Sequence, residues 1–206
     1  MKKGFTLIEM LVVLGIIAVL IAALVTSYGS FVERANRVKC NESVQQVKTA
    51  LEQIAQSEQG WPPIMQEEAS DGDGEFTAEV GAAFARRGTF SLSYQKIENK
   101  DGTIKYVLNG HDRFGIVSPW AYEFVKHNGK AGGLNETAKL PGGGTIKDHR
   151  FHFAIDDDYD GMTEVNFMGG KIKVRASACV WCCGKDGVMG TKDDIYSWTD
   201  GQVTNK

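Results

Sequence analysis

The hydrophobic positions of this chain change character twice. From Phe5 to Val25 the run is apolar and Glu9 is its only charge. A helix of that length, rising about 1.5 Å per residue, spans roughly 30 Å and can cross the hydrocarbon core of a bilayer. Behind it, Phe31, Ala35, Val38, Val44, Val47, Leu51 and Ile54 recur at spacings at or near three and four. Glu33, Arg34, Arg37, Lys39, Glu42, Lys48 and Glu52 fall between them. That spacing predicts an amphipathic helix with one buried stripe. Gly60 and the Trp61-Pro62-Pro63 that follows supply its stop. The pattern therefore predicts one helix from about Phe5 to Gln59, apolar all round in its first half and on one face in its second. Gly15 and Gly29 are its weak points, since glycine costs about 1 kcal/mol relative to alanine inside a helix.

Beyond residue 60 the period shortens and turns multiply. Ala69 to Gly74 reads as a polar turn, and Phe76 to Arg87 as a weak helix interrupted by Gly81 and ended by Gly88. Thr89 to Ile97 and Thr103 to Leu108 alternate on either side of Asn99-Lys-Asp-Gly102, the pattern of a hairpin. Trp120, Tyr122 and Phe124 occupy alternate positions and predict a strand within Phe114 to Val125. Gly129 to Gly144 is glycine-rich and reads as a surface loop. Phe151, Phe153 and Ile155 predict a strand, and Glu164 to Val174 another. A long helix packed on a small antiparallel sheet with large loops is an α+β fold.

Composition narrows the function. With 206 residues the chain holds one ordinary domain and an appendage. Its hydrophobic share of 42% and charged share of 24% belong to a folding chain. A net charge of -3 without a basic block gives no reason to expect nucleic acid. Lys2 and Lys3 hold the N-terminus in the cytoplasm by the positive-inside rule. Ala22 and Ala23 lie inside a continuing helix pattern, so they do not mark a secretory cleavage site. Nucleophile motif, phosphate loop and a catalytic set of carboxylate, histidine and serine are all missing from the sequence, which reads as a non-enzyme.

Glu9 needs a reason, because a carboxylate at a membrane is costly unless it is paired. Gly4-Phe5-Thr6-Leu7-Ile8-Glu9, with lysines before it and the apolar helix after it, resembles the processing site of type IV pilins and type II secretion pseudopilins. The resemblance implies a leader of residues 1–4, cut between Gly4 and Phe5 by a prepilin peptidase, and N-methylation of Phe5. It implies a membrane and assembly helix over 5–30, its amphipathic continuation over 31–60, and a β-rich globular domain over 61–206 in the pilin-like fold. The new amine on Phe5 stays cationic, and in a filament the Glu9 carboxylate of one copy can pair with the amine of the next. Both charges are expensive alone in a low-dielectric core and tolerable together. The pairing sets register, as a buried polar residue does in a coiled coil.

Near the C-terminus, Gly184 to Trp198 holds Asp186, Asp193 and Asp194 among three glycines. Carboxylates and carbonyls in a tightly curved loop suit calcium, which takes six to eight oxygens; a solvated turn is the alternative. The order DG, GT, DDI and SW is similar to the C-terminal calcium loop of major pseudopilins. Carried over, that likeness gives Asp186, Asp193 and Asp194 as side-chain ligands and the carbonyls of Cys183 and Thr191 as backbone ligands. Asp156-Asp-Asp-Tyr-Asp-Gly161 opens like an EF-hand loop through Asp156, Asp158 and Asp160, but Phe167 stands where a bidentate Glu belongs. Glu164 falls at the position often reached through water. An acidic turn and a partial calcium site are the two readings.

Cys40, Cys179, Cys182 and Cys183 in an exported domain suggest disulfides, with three connectivities open. Neighbouring Cys182 and Cys183 pair poorly, so Cys40 joins one of the cluster or stays free. Zinc is the lesser alternative, since the other half of a four-ligand site is missing. His111, His127, His149 and His152 show no ligand spacing, and His149 and His152 read as surface or edge residues. The expected protein is a single-pass subunit of the bacterial inner membrane with a periplasmic C-terminal domain. The resemblance implies a major pseudopilin of type II secretion, partnered by copies of itself, an inner-membrane assembly platform and minor pseudopilins. The alternative is a type IV pilus subunit for adhesion, motility or DNA uptake.

Overall fold

The computed structural model describes residues 6–129, 133–167 and 169–204. The chain divides into two compact units, Met1–Val38 and Lys39–Lys206. Helix α1 runs Leu7–Glu58. Thr6 and Glu9 start it as a capping box. The Glu9 amide donates to Thr6 Oγ1 at 3.3 Å, and Glu9 Oε2 accepts from the Thr6 amide at 2.7 Å and its hydroxyl at 2.8 Å. At the far end Gln59, not Gly60, takes the left-handed conformation, with φ 55. The Gly60 amide then donates to the Ala55 carbonyl at 2.9 Å and closes the last turn.

In the first unit the apolar side chains face outward; Leu7 is 84% and Leu24 70% exposed. By length and composition this helix can cross a membrane. The predicted stripe is corrected at its front. Phe31, Ala35 and Val38 are exposed, and burial begins at Cys40, followed by Val44, Val47, Leu51 and Ile54. The first three lie in the unit that has no sheet to cover them.

The second unit packs the end of α1 on an antiparallel sheet ordered β1-β4-β7-β8, formed by Gly74–Glu75, His152–Ile155, Ala178–Cys182 and Ile195–Tyr196. Phe153 and Ile155 from β4 and Ala178, Val180 and Cys182 from β7 share a core with the α1 stripe, Phe76 and Phe84. The opposite face carries Ala154, Cys179 and Trp181, which meet Val165, Val174 and Trp198. Strand alternation makes this division. Two hairpins stand apart, β2 (Tyr94–Glu98) with β3 (Ile104–Leu108) and β5 (Thr163–Phe167) with β6 (Gly170–Val174). The first falls inside the predicted hairpin to within a residue, whereas the single strand predicted over Glu164 to Val174 is corrected to two strands, β5 and β6, paired antiparallel.

Among the described residues the unit also holds three short α-helices, α2 (Pro63–Glu68), α3 (Ala78–Arg86) and α4 (Pro119–Asn128). The last overturns the predicted strand at Phe114 to Val125. Pro119 opens a first turn well, because its missing N–H is one a helix start leaves unpaired anyway. Ala121 and Val125, four apart, are buried beside Leu140 and Ile146, with Trp120 and Phe124 packed against them. Aromatics at alternate positions also include pairs four apart, so one pattern fits a helix face.

Before α4, Gly115 sits at φ +100, and a Cβ there would overlap the Phe76 carbonyl oxygen. Phe76 also accepts from the Ile116 amide at 3.0 Å, so the two segments cannot separate freely. Gly115→Ala is expected to destabilise the chain by about 2 kcal/mol through backbone strain. Denaturant melts of the variant and the parent check this; equal midpoints would contradict it.

Candidate functional site

Glu9 lies at the start of α1, in a field of exposed apolar side chains. Its contacts through Oε2 give it a local role that the sequence reading missed. The signal was present as Thr6-Leu7-Ile8-Glu9, the T-x-x-E pattern of a capping box. Gly4 and Phe5, the expected processing pair, lie outside the described residues.

The C-terminal acidic loop is built by backbone packing. Gly142, Gly143 and Gly144 lie against Lys185, Asp186 and Gly187 so closely that a Cβ on Gly143 would stand 2.7 Å from the Asp186 carbonyl oxygen. The glycine-rich segment is therefore a seat for this loop, with Leu140 and Ile146 anchoring its two ends in the core. Within the loop, Asp193 Oδ2 accepts from the amides of Lys185 at 2.6 Å and Asp186 at 3.2 Å. Asp194 Oδ2 accepts from Gly190 at 2.6 Å, and Asp186 Oδ1 from Val188 at 2.9 Å. The Cys183 carbonyl accepts from Gly187 at 3.1 Å and the Thr191 carbonyl from Asp194 at 3.4 Å. The Thr191 hydroxyl lies against both Asp193 Oδ1 and Asp194 Oδ1, yet has one hydrogen to give. Burial pushes the Asp194 carboxyl above the usual carboxylate range. Burial acts the same way on Asp193, but the Thr191 hydroxyl and the Lys185 and Asp186 amides outweigh it and leave that group lowered.

A second acidic loop is tighter. Among the described residues, Asp156, Asp158 and Asp160 are the one acidic set whose ligand atoms all lie within 4.8 Å of one another; Asp186, Asp193 and Asp194 do not converge in this way. Asp156 is buried and accepts from the amides of Asp160 at 3.1 Å and Gly161 at 2.9 Å. Asp160 accepts from Met162 at 2.7 Å. The Trp61 indole donates to the Asp156 carbonyl at 2.6 Å, which pins the loop beside the end of α1. Burial pushes the Asp156 carboxyl up, and the Asp158 and Asp160 side chains add to that. Glu164 faces Lys171 at 3.4 Å and Lys173 at 3.2 Å instead of joining the cluster.

His149 corrects the surface reading, because it is fully buried. Its Nε2–H donates to the Gly143 carbonyl at 3.1 Å, which leaves Nδ1 to accept from the Ser118 hydroxyl at 3.0 Å. Burial lowers its pKa, and the nearby Asp148 and Asp186 carboxylates oppose this only in part. An unfolded histidine takes its proton near pH 6.5 and this one does not, so acid favours unfolding. Stability is expected to fall as pH drops below about 6.5, by at most about 1.4 kcal/mol per unit. Melting points from pH 7 to 5 in chelator check this: His149→Gln should flatten the profile, and an equally steep variant would contradict it.

Arg150, also nearly buried, donates from Nε to the Phe114 carbonyl at 2.8 Å and pairs with Glu75 at 3.0 Å and Glu136 at 2.7 Å. It ties the glycine-rich segment to the sheet, and neither its charge nor its partners had a periodic signal. The four cysteines are buried free thiols.

Residues 1–25 match the family described as "Prokaryotic N-terminal methylation motif". The chain is 29% identical over 120 residues to the type IV major fimbrial protein FimA of Dichelobacter nodosus, covering 57% of this chain and 70% of that protein. No solved structure matches the chain.

Proposed function

We propose that this chain, a member of the type IV pilin superfamily, is a structural subunit that polymerises through its N-terminal helix. The carrying observation is the apolar surface of α1, outward-facing from Leu7 to Val25. Lipid covers that surface before assembly, and the helices of other copies cover it afterwards. A peptidase removes residues 1–4, and Phe5 becomes the methylated N-terminus. Glu9 then meets the Phe5 ammonium of a neighbouring copy. The subunit sits in the inner membrane as a single pass, with its globular unit in the periplasm, and performs no catalysis.

The filament we assign is a type II secretion pseudopilus, with an inner-membrane platform and minor pseudopilins as partners. The order of residues in the C-terminal loop supports it. A type IV pilus is the second reading, favoured by the likeness to a fimbrial protein. Shearing separates them: surface fibres containing this chain favour the pilus. A subunit absent from sheared fibres, whose deletion stops export of secreted proteins, favours the pseudopilus.

Calcium is the ion we assign to the C-terminal loop. Its donors are hard oxygens, as calcium requires. Asp193 Oδ1 and Asp194 Oδ1 crowd a hydroxyl that can satisfy one of them, which favours a cation there. The bound ion supplies positive charge, while Asp186, Asp193, Asp194 and the Cys183 and Thr191 carbonyls hold the loop on its glycine seat.

A further inference from the structure

The second half of α1 and the central strand β7 each bring a thiol to one core. Cys40 is the first buried residue of the helix stripe, and Cys182 is the last residue of β7. Both are 0% exposed and belong to the same core. Alternation along β7 decides which thiol can face the helix. Ala178, Val180 and Cys182 point into the core shared with α1, while Cys179 and Trp181 point to the opposite face. Of the groups around the Cys40 thiol, Cys182 acts on it most strongly, while the Thr163 hydroxyl beside the opposite face donates to the Ala176 carbonyl at 2.6 Å.

We propose that Cys40 and Cys182 form a disulfide that staples α1 to the central strand, leaving Cys179 and Cys183 as thiols. The oxidant is a disulfide, either of a thiol–disulfide oxidoreductase or of glutathione. The thiolate of one cysteine attacks a sulfur of the oxidant, gives a mixed disulfide and expels a thiolate. The second cysteine attacks its partner's sulfur in that mixed disulfide and expels the other half of the oxidant. Overall, two protein thiols lose two electrons and two protons, and the oxidant leaves as two thiols. Such a bond closes almost the whole globular unit into one covalent loop and restricts the unfolded chain accordingly.

Timing follows from burial. The neighbouring Cys182 raises the Cys40 thiol and burial adds to it, and burial pushes Cys179 up to about 12. The reactive thiolate is therefore scarce once the core has closed. The bond forms while the chain folds, and the finished bond is shielded from reductant by the same core.

Oxidation in the native cell rests on the periplasmic placement proposed above, so two arms keep that placement and the pairing distinguishable. In the first, the full chain is reduced in denaturant and refolded in detergent with oxidised glutathione. It is then blocked with N-ethylmaleimide in denaturant and digested with trypsin and chymotrypsin. Cleavage after Trp181 separates Cys179 from Cys182, and fragmentation separates Cys182 from Cys183. The expected product is a Cys40–Cys182 peptide with Cys179 and Cys183 alkylated. The link should survive in Cys179→Ser and Cys183→Ser and be lost in Cys182→Ser. No link, or a link from Cys40 to Cys179 or Cys183, overturns the proposal. In the second arm, chain taken from its native membranes is blocked before any reduction. The same link there supports both readings. Four alkylated cysteines there, with the link formed in the first arm, keep the pairing and overturn the periplasmic placement.

Discussion

Glu9→Gln is expected to lower filament yield at least about tenfold while the chain still inserts in the membrane and its globular unit melts as the parent does. Gln is chosen over Ala for a reason the capping box supplies. Glu9 Oε2 accepts from Thr6 at the helix start, and in the proposed filament its charge pairs with a cation as well. A Gln side-chain oxygen still accepts those hydrogen bonds, because Gln serves at this box position as Glu does. What it removes is the negative charge. Glu9→Ala removes both and cannot separate them. Thr6→Val makes the converse cut, weakening the box and sparing the carboxylate, and should leave most of the filament yield intact. Filaments counted by electron microscopy, with membrane fractions blotted in parallel, check the series. A Glu9→Gln chain that assembles normally would mean the acid is a helix cap and nothing more.

Calcium removal is the second large effect. At a hundredfold excess over the dissociation constant, an ion bound only to the folded chain adds about 2.7 kcal/mol of stability. For a unit of this size that corresponds to a melting point lower by about 5–10 °C after chelation. The charge argument points the same way. Asp186, Asp193 and Asp194 share one short loop, and burial resists ionisation of Asp194, so a cation relieves the loop. The full chain in detergent, melted with and without chelator, gives the midpoint. Asp193→Ala should melt low in both conditions and lose its response to the ion. Asp158→Ala in the converging triad should keep the response. An unchanged midpoint for the parent, or a response abolished by Asp158→Ala alone, would remove calcium from the C-terminal loop.

Long-period features were legible in the sequence. The apolar run, the stripe from Val44 to Ile54, the hairpin around Asn99 to Gly102 and the Phe151-Phe153-Ile155 strand all rest on repeats that one segment carries by itself. Features set by neighbours were not. Strand β7 is buried along its whole length, so it has no polar face to reveal an alternation. Phe31 and Val38 fit the stripe by spacing, yet spacing cannot say where the globular unit begins. His149 looked like an edge residue because the groups that bury it, Ser118 and Gly143, come from two other segments. The glycines at 142–144 read as a loose loop, and only the approach of residues 185–187 shows that their bare backbone is a packing surface. The same limit held for the acidic loops. Sequence order named both sets and put Asp186, Asp193 and Asp194 first, while the fold gathers Asp156, Asp158 and Asp160 most closely.

The central claim is that this chain polymerises from a processed end, with the positive terminus of one copy answering Glu9 of another. The intact mass of the subunit taken from its assembled form tests it most directly. The account predicts a chain that begins at N-methylated Phe5. A chain in the fibre that still carries Met1 would contradict it.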